Sequence, residues 1–152
     1  MSEKYIVTWD MLQIYTRKLA NRLVKLNSWN KIVAISRGGL VPASILAREL
    51  NIRYVDTICI ASYNYNSLKK NRTIIKKSQS NSSKIIIVDD LVDTGGTAKI
   101  IRKLYPKAYF VTIFAKPMGK ILVDNYIIDV SQNIWIEQPW DMSISYISPL
   151  KK

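Results

Sequence analysis

Residues 85–97 read IIIVDDLVDTGGT. Isoleucines and a valine lead straight into Asp89 and Asp90, a third acid follows at Asp93, and Thr94-Gly95-Gly96-Thr97 closes the stretch. The unbroken β-branched run has the pattern of a strand buried on both faces. Its C-terminal end therefore delivers three carboxylates and a flexible turn to one place, where like charges repel. Such an arrangement becomes favourable when a ligand uses it.

Working outward, the chain alternates between strand and helix patterns. Thr8 can cap a helix in which Leu12, Tyr15, Leu19, Leu23 and Leu26 recur at helical spacing. KIVAIS (31–36) reads as a strand, followed by RGGL and a helix opened by Pro42 and closing near Leu50. RYVDTICIAS (53–62) is a second strand, in which Cys59 reads as ordinary packing. Residues 63–83 are polar, rich in turn formers and weakly periodic, and are expected to form a mobile functional loop or lid. The strand at 84–90, the Gly-Gly turn, a helix over 97–104 and a strand over 108–116 complete a βαβ series. That series predicts an α/β fold with a parallel central sheet and helices on its faces, formed as one domain over 1–152.

Composition restricts the chemistry. With no histidine in the chain, Ser-His-Asp and Cys-His nucleophile systems and His-ligated metals are excluded, which leaves carboxylates, lysine, tyrosine and hard cations. One cysteine cannot make an internal disulfide. The opening MSEKYIVTWD shows no signal-peptide pattern, and no long apolar run suggests a membrane span, so a cytoplasmic protein is expected. The net charge of +12 is mostly lysine scattered along the chain, and only 68–84 is locally basic. A solvated surface explains it better than a polyanion site, so nucleic acid is not an expected partner.

In parallel sheets ligands bind beyond the carboxyl ends of the strands. Two turns there carry paired glycines, SRGGL (36–40) and DTGGT (93–97). Paired glycines let backbone N–H groups approach an anion, and a helix beginning at Thr97 adds its positive end. Two phosphate groups on one ligand are implied, with Arg37 as a charge-assisted donor at the first. Asp89 and Asp90 would repel a bare phosphate, but they can accept hydrogen bonds from a sugar diol, and Mg²⁺ can join diol, pyrophosphate and acids. 5-Phosphoribosyl 1-diphosphate carries all three groups. Loss of its pyrophosphate develops positive charge on the sugar, which neighbouring carboxylates stabilise.

The stretch 85–97 resembles the ribose-phosphate signature of the type I phosphoribosyltransferases. Together with MSEKYIVTWDMLQI, SRGGLVP, LAREL, VDDLVDTGGTA, FVTIFAKP and WIEQPWDM, the chain from 1 to about 142 is similar to the bacterial xanthine-guanine branch of that family. The resemblance implies the type I phosphoribosyltransferase fold, a central parallel sheet flanked by helices with a small hood. It also implies a homotetramer, and Mg²⁺-dependent transfer of phosphoribose to N9 of guanine, xanthine or hypoxanthine. Peripheral association with the inner membrane is compatible with it.

Residue by residue, the resemblance puts Arg37 and Gly38 on the pyrophosphate through a strained peptide bond, with Lys69 contributing from the loop. It puts Asp89 and Asp90 on the ribose hydroxyls, with Asp90 also at Mg²⁺, and Thr94, Gly95, Gly96 and Thr97 around the 5-phosphate. Asp93 is implied as the general acid/base near N7, Lys116 as donor to the 6-oxo group, Trp135 as stacking platform, and the backbone at Trp135 and Ile136 as reader of the 2-position. Without the resemblance, Trp135 and Trp140 read as core aromatics and Lys116 as a surface lysine. Position 69 is Lys where the family carries Arg, so a point charge replaces a bidentate clamp. Residues 78–84 run one residue longer and more basic than the family pattern, and the terminal SPLKK diverges from it.

Two other classes fit less well. A receiver domain also has paired acids at a strand end and an AKP at a later one. It needs a phosphoacceptor aspartate at an intervening strand end, however, and only Asp93, inside the glycine turn, lies between Asp90 and Lys116. A regulator that keeps the diphosphate site and binds nucleic acid would account for the charge, but it has no use for Asp93, Lys116 and Trp135 together.

Overall fold

The protein's structure, a computed structural model, describes residues 3–64, 70–79, 82–141 and 149–151. In chain order the elements are β1 (Lys4–Ile6), α1 (Trp9–Val24), β2 (Lys31–Ser36), α2 (Leu40–Glu49), β3 (Val55–Asn64), β4 (Lys70–Lys76), β5 (Ile85–Val92), α3 (Gly96–Leu104), β6 (Tyr109–Ala115), β7 (Ile128–Asp129) and β8 (Trp135–Glu137). Six strands make the main sheet in the order β4-β3-β2-β5-β6-β7. All neighbours in it are parallel except β3 and β4.

The apolar runs fill both faces of this sheet. On β2 and β5, Ile32, Ala34, Ile86 and Val88 pack with Leu12, Leu19, Leu23 and Leu46 of α1 and α2. The alternate residues Val33, Ile35, Ile85 and Ile87 pack with Ala98 and Ile101 of α3. Strands covered on both sides cannot alternate with polar residues, which is why IIIV and KIVAI read as unbroken runs. Thr8 caps α1, its side chain accepting from the Met11 N–H at 3.1 Å.

Three expectations need correction. Pro42 does not open α2 but stands at its third position, after Gly39 has served as N-cap; the first-turn N–H groups have no helical acceptor, so proline costs nothing there. Leu26 lies beyond the end of α1 and is 55% exposed, so it drops off the packed face. The polar stretch 63–83 is not structureless: β3 runs to Asn64, and Lys70–Lys76 forms an edge strand antiparallel to it. An edge strand needs only backbone pairing on one side, so its side chains can stay polar and hide the period. Lys69, together with the rest of 65–69, lies outside the described residues.

A polar cluster secures the far end of this edge. Asp56 accepts from Lys76 at 2.7 Å, from the Ser78 hydroxyl at 2.8 Å and from the buried Lys31 at 3.2 Å. The Lys76 hydrogen bond, followed by those of Ser78, the Thr57 amide and Lys31, outweighs the cost of burial and holds the Asp56 carboxyl well below the usual carboxylate range.

The hood is a two-stranded parallel sheet of β1 and β8. Tyr5 and Ile136 pack on the main core, and the buried Glu137 is ion-paired with Lys4. Among the described residues no helix is long and apolar enough to cross a membrane.

Candidate active site

In this sheet order the connection after β2 runs to β3 on one side, while the connection after β5 runs to β6 on the other. The crevice between the C-terminal ends of β2 and β5 is thus a topological switch point, the usual ligand position in an open α/β sheet. Both glycine turns singled out in the sequence open there.

On the β2 side, the Ser36–Arg37 peptide is cis and Arg37 is exposed. Gly38 lies against the acids so closely that a Cβ would overlap the Asp90 carboxylate and press on Asp89 Oδ1. Only glycine fits, because the loop and the acidic pair share one recess. Asp89 accepts from the Asp90 amide at 2.9 Å, and Asp90 accepts from the Gln138 side-chain amide at 3.0 Å. Both residues are partly buried in this recess. Desolvation pushes both up from the ordinary carboxylate value, Asp89 well above it, and for Asp89 the neighbouring Asp90 charge adds to the shift.

On the other side, Gly95 adopts φ +91° and caps α3 without any side-chain hydrogen bond. A side chain there would be strained and would also meet Leu122 Cδ1 at 2.7 Å. The first N–H groups of α3 are therefore presented at the turn, beside a cavity of about 110 Å³ lined by Asp89, Asp93, Thr94, Gly96, Thr97 and Arg72. Arg72, from β4, was not anticipated. In the sequence it is one basic residue among many in a stretch that reads as loop.

The third wall comes from β6 and the hood. Lys116 is not the surface lysine its position suggests: it is 5% exposed and donates to Asp93 Oδ2 at 3.3 Å. Gln132 donates to Asp93 Oδ1 at 2.7 Å, while its own Oε1 accepts from the Met118 amide at 3.0 Å. Both oxygens of Asp93 are thus aimed, although the side chain stays about half exposed at 49%. Gln132 and Gln138 were missed because a glutamine in a polar turn carries no signal of its own. Trp135 is 57% exposed on β8, so its ring is not a core residue, and Ile136 beside it is buried. Trp140 is partly buried and packs beside Trp9, with ring centroids 6.4 Å apart.

The acids, the two glycine turns and the Lys116–Asp93 pair therefore meet at one crevice. Residues 8–147 match the family model described as the phosphoribosyl transferase domain. The chain belongs to that family. Solved structures of similar fold include a purine phosphoribosyltransferase from Pyrococcus horikoshii, 24% identical, with 98% of this chain and 99% of that one covered at a TM-score of 0.79. A hypothetical protein from Neisseria gonorrhoeae with bound ppGpp is 21% identical over 93% of this chain and 91% of that one, with a TM-score of 0.76. The xanthine-guanine-hypoxanthine phosphoribosyltransferase of Helicobacter pylori is 20% identical over 91% and 94%, at 0.73. As a phosphoribosyltransferase, the chain carries its signature acids on β5 and its glycine turn at the start of α3.

Proposed function

We propose that this phosphoribosyltransferase is a purine-salvage enzyme. It transfers phosphoribose from 5-phosphoribosyl 1-diphosphate to N9 of guanine, xanthine or hypoxanthine, giving the nucleoside 5′-monophosphate and pyrophosphate. The reading rests on Lys116, a lysine 5% exposed and held by one half-exposed carboxylate between the phosphate turn and the hood that carries Trp135. A buried ammonium is costly unless it meets acceptors. The 6-oxo group of these purines supplies one, where adenine presents a donor.

The residues divide the work. Backbone amides at Thr94–Thr97 hold the 5-phosphate, the loop at Arg37 and Gly38 holds the diphosphate, and Asp89 and Asp90 accept from the ribose hydroxyls. The C1–O bond to pyrophosphate breaks as the N9–C1 bond forms, with positive charge on the sugar facing the acidic pair. Asp93, aimed by Gln132 and Lys116, takes the proton that the purine gives up. Trp135 stacks on the ring and the backbone at Trp135 and Ile136 faces its 2-position. We assign Lys69 to the diphosphate as a point charge.

The donor set fits Mg²⁺. Asp89 and Asp90 are paired carboxylates with an unfavourable charge on each other, and among the described residues no third acid, cysteine or histidine joins them. Mg²⁺ takes one or two carboxylates and completes its shell with water and substrate oxygens. Asp90 would hold the ion, which when bound neutralises charge on the diphosphate leaving group.

The apolar side chains of Ile14, Val24 and Leu26, left exposed on and just beyond α1, support self-association. We propose four copies, the number the family resemblance implies. We place the protein in the cytoplasm, with any membrane association peripheral. The deciding experiment is pyrophosphate release from 5-phosphoribosyl 1-diphosphate with guanine, xanthine, hypoxanthine and adenine in turn, with and without Mg²⁺. Release with the three 6-oxopurines and Mg²⁺ is expected; release independent of the added base would overturn the assignment.

A further inference from the structure

Arg72 occupies an electrostatic position that the protein alone does not explain. Its guanidinium lies flat over Gly96, the first residue of α3, where a Cβ would overlap Nη1, Cζ and Nη2. The N-terminus of a helix carries partial positive charge, so a cation resting there is repelled. The helix itself does not offset it, since α3 has no acid in its first turn and no side-chain cap; Asp89 and Asp93 line the same cavity but are not among the hydrogen-bond partners of the buried Arg72 Nε. The Arg72 Nε is buried without a hydrogen-bond partner. A buried guanidinium donor left unpaired against a positive helix end costs free energy that an anion between them would return.

The cavity of about 110 Å³ beside it has room for such an anion, and Thr94 and Thr97 line it together with Asp89 and Asp93. We propose that Arg72 is a ligand of the phosphate monoester held at the Thr94–Thr97 turn, reaching in from β4 to supply the charge that the backbone amides lack. This rests on the function proposed above, which puts a 5-phosphate at that turn. It adds a residue that the turn's own sequence does not contain. A guanidinium can donate two parallel hydrogen bonds to phosphate. The clamp absent at position 69 thus has a counterpart three residues later, on the other phosphate of the same substrate.

The test is calorimetric binding of guanosine 5′-monophosphate and of guanosine to the intact chain and to Arg72→Met and Arg72→Lys, each checked by thermal melting. The unmodified protein should prefer the monophosphate. Arg72→Met, which keeps the apolar stem, should lose about tenfold or more in monophosphate affinity, the usual consequence of deleting a charged hydrogen bond. Its guanosine affinity should stay within about twofold of the unmodified protein, because the lost bond touches only phosphate. Arg72→Lys should fall between, since it keeps charge but not the fork, and it decides the matter if the Met variant melts. A variant that binds the monophosphate as tightly as the unmodified protein, or more tightly, overturns the assignment of Arg72 and leaves the proposed function standing. An unmodified protein with no preference for the monophosphate overturns both.

Discussion

Asp89 to Thr97 build most of the phosphate side of the site from consecutive residues, largely through backbone amides and glycine conformation. The base side gathers Lys116 from the end of β6, Gln132 from the turn after β7 and Trp135 from β8, and turns them toward Asp93 or the hood. This strand-turn-helix is contiguous in the chain, although β5 itself is held between β2 and β6. The base side exists only when distant elements have docked. On the assignment proposed above, the common part of the substrate falls to the contiguous piece and the variable part to side chains gathered from distant elements.

That contrast is most exposed at Lys116. We expect the protein to prefer guanine over adenine by ~10⁴-fold or more in kcat/KM, the scale on which a site rejects a ligand that leaves its polar group unpaired. Lys116→Met should erase most of the preference by lowering the guanine value while the adenine value hardly moves. Equal use of adenine by the unmodified protein, or an indifferent Met variant, would remove Lys116 from base recognition.

Asp93 belongs to both sides, contiguous with the phosphate turn yet oriented from the base side. Asp93→Asn keeps shape but cannot exchange a proton, and the single-turnover rate with guanine should drop by ~10²- to 10⁴-fold. A drop of less than about threefold, far below that range, would make Asp93 a turn residue only.

Gln132 sharpens the comparison further, since its side chain bridges Asp93 and the Met118 amide and so sets the angle of Asp93. Gln132→Ala should lower kcat by about tenfold through misorientation and leave guanine binding unchanged. If KM rises instead and kcat holds, Gln132 is a binding residue.

The smallest effect lies on the phosphate side and is one of stability. Burial raises both the Asp89 and Asp90 carboxyls, with the Asp90 charge adding to the shift of Asp89, so in the ligand-free protein the pair costs stability once the pH has risen past the ordinary carboxylate value of ~4 and through the raised one. Asp90→Asn should therefore raise the melting temperature at neutral pH by about 2–4 °C, a gain that fades as the pH falls toward 4. Unchanged melting at every pH would mean the recess is wetter than its geometry indicates.

The legibility of each part follows from the same contrast. The β5-turn-α3 unit could be read because strand period, acids and glycines are neighbours in the chain, and the two-faced burial of β2 and β5 leaves an unmistakable apolar run. Lys116 and Trp135 were reached only through family resemblance, since nothing local distinguishes a site lysine from a solvated one. β4 escaped notice because an edge strand need not alternate. Arg72 and Gln132 escaped with it, because their meaning lies in what they meet across the fold: Gly96 for one, Asp93 for the other.

The hood fixes when each property becomes available to a growing chain. β1 pairs in register with β8, and the Lys4–Glu137 pair that fastens them spans 133 residues. During synthesis at ~5–20 residues per second, the acids and the phosphate turn are complete and can fold while β1 still waits for its partner strand. The Trp135 amide, which donates to Glu3 at 3.0 Å, closes the hood only after nearly the whole described chain has emerged. On the proposed assignment, a ribosome-bound nascent chain therefore completes the residues for the sugar phosphate before those that read the base.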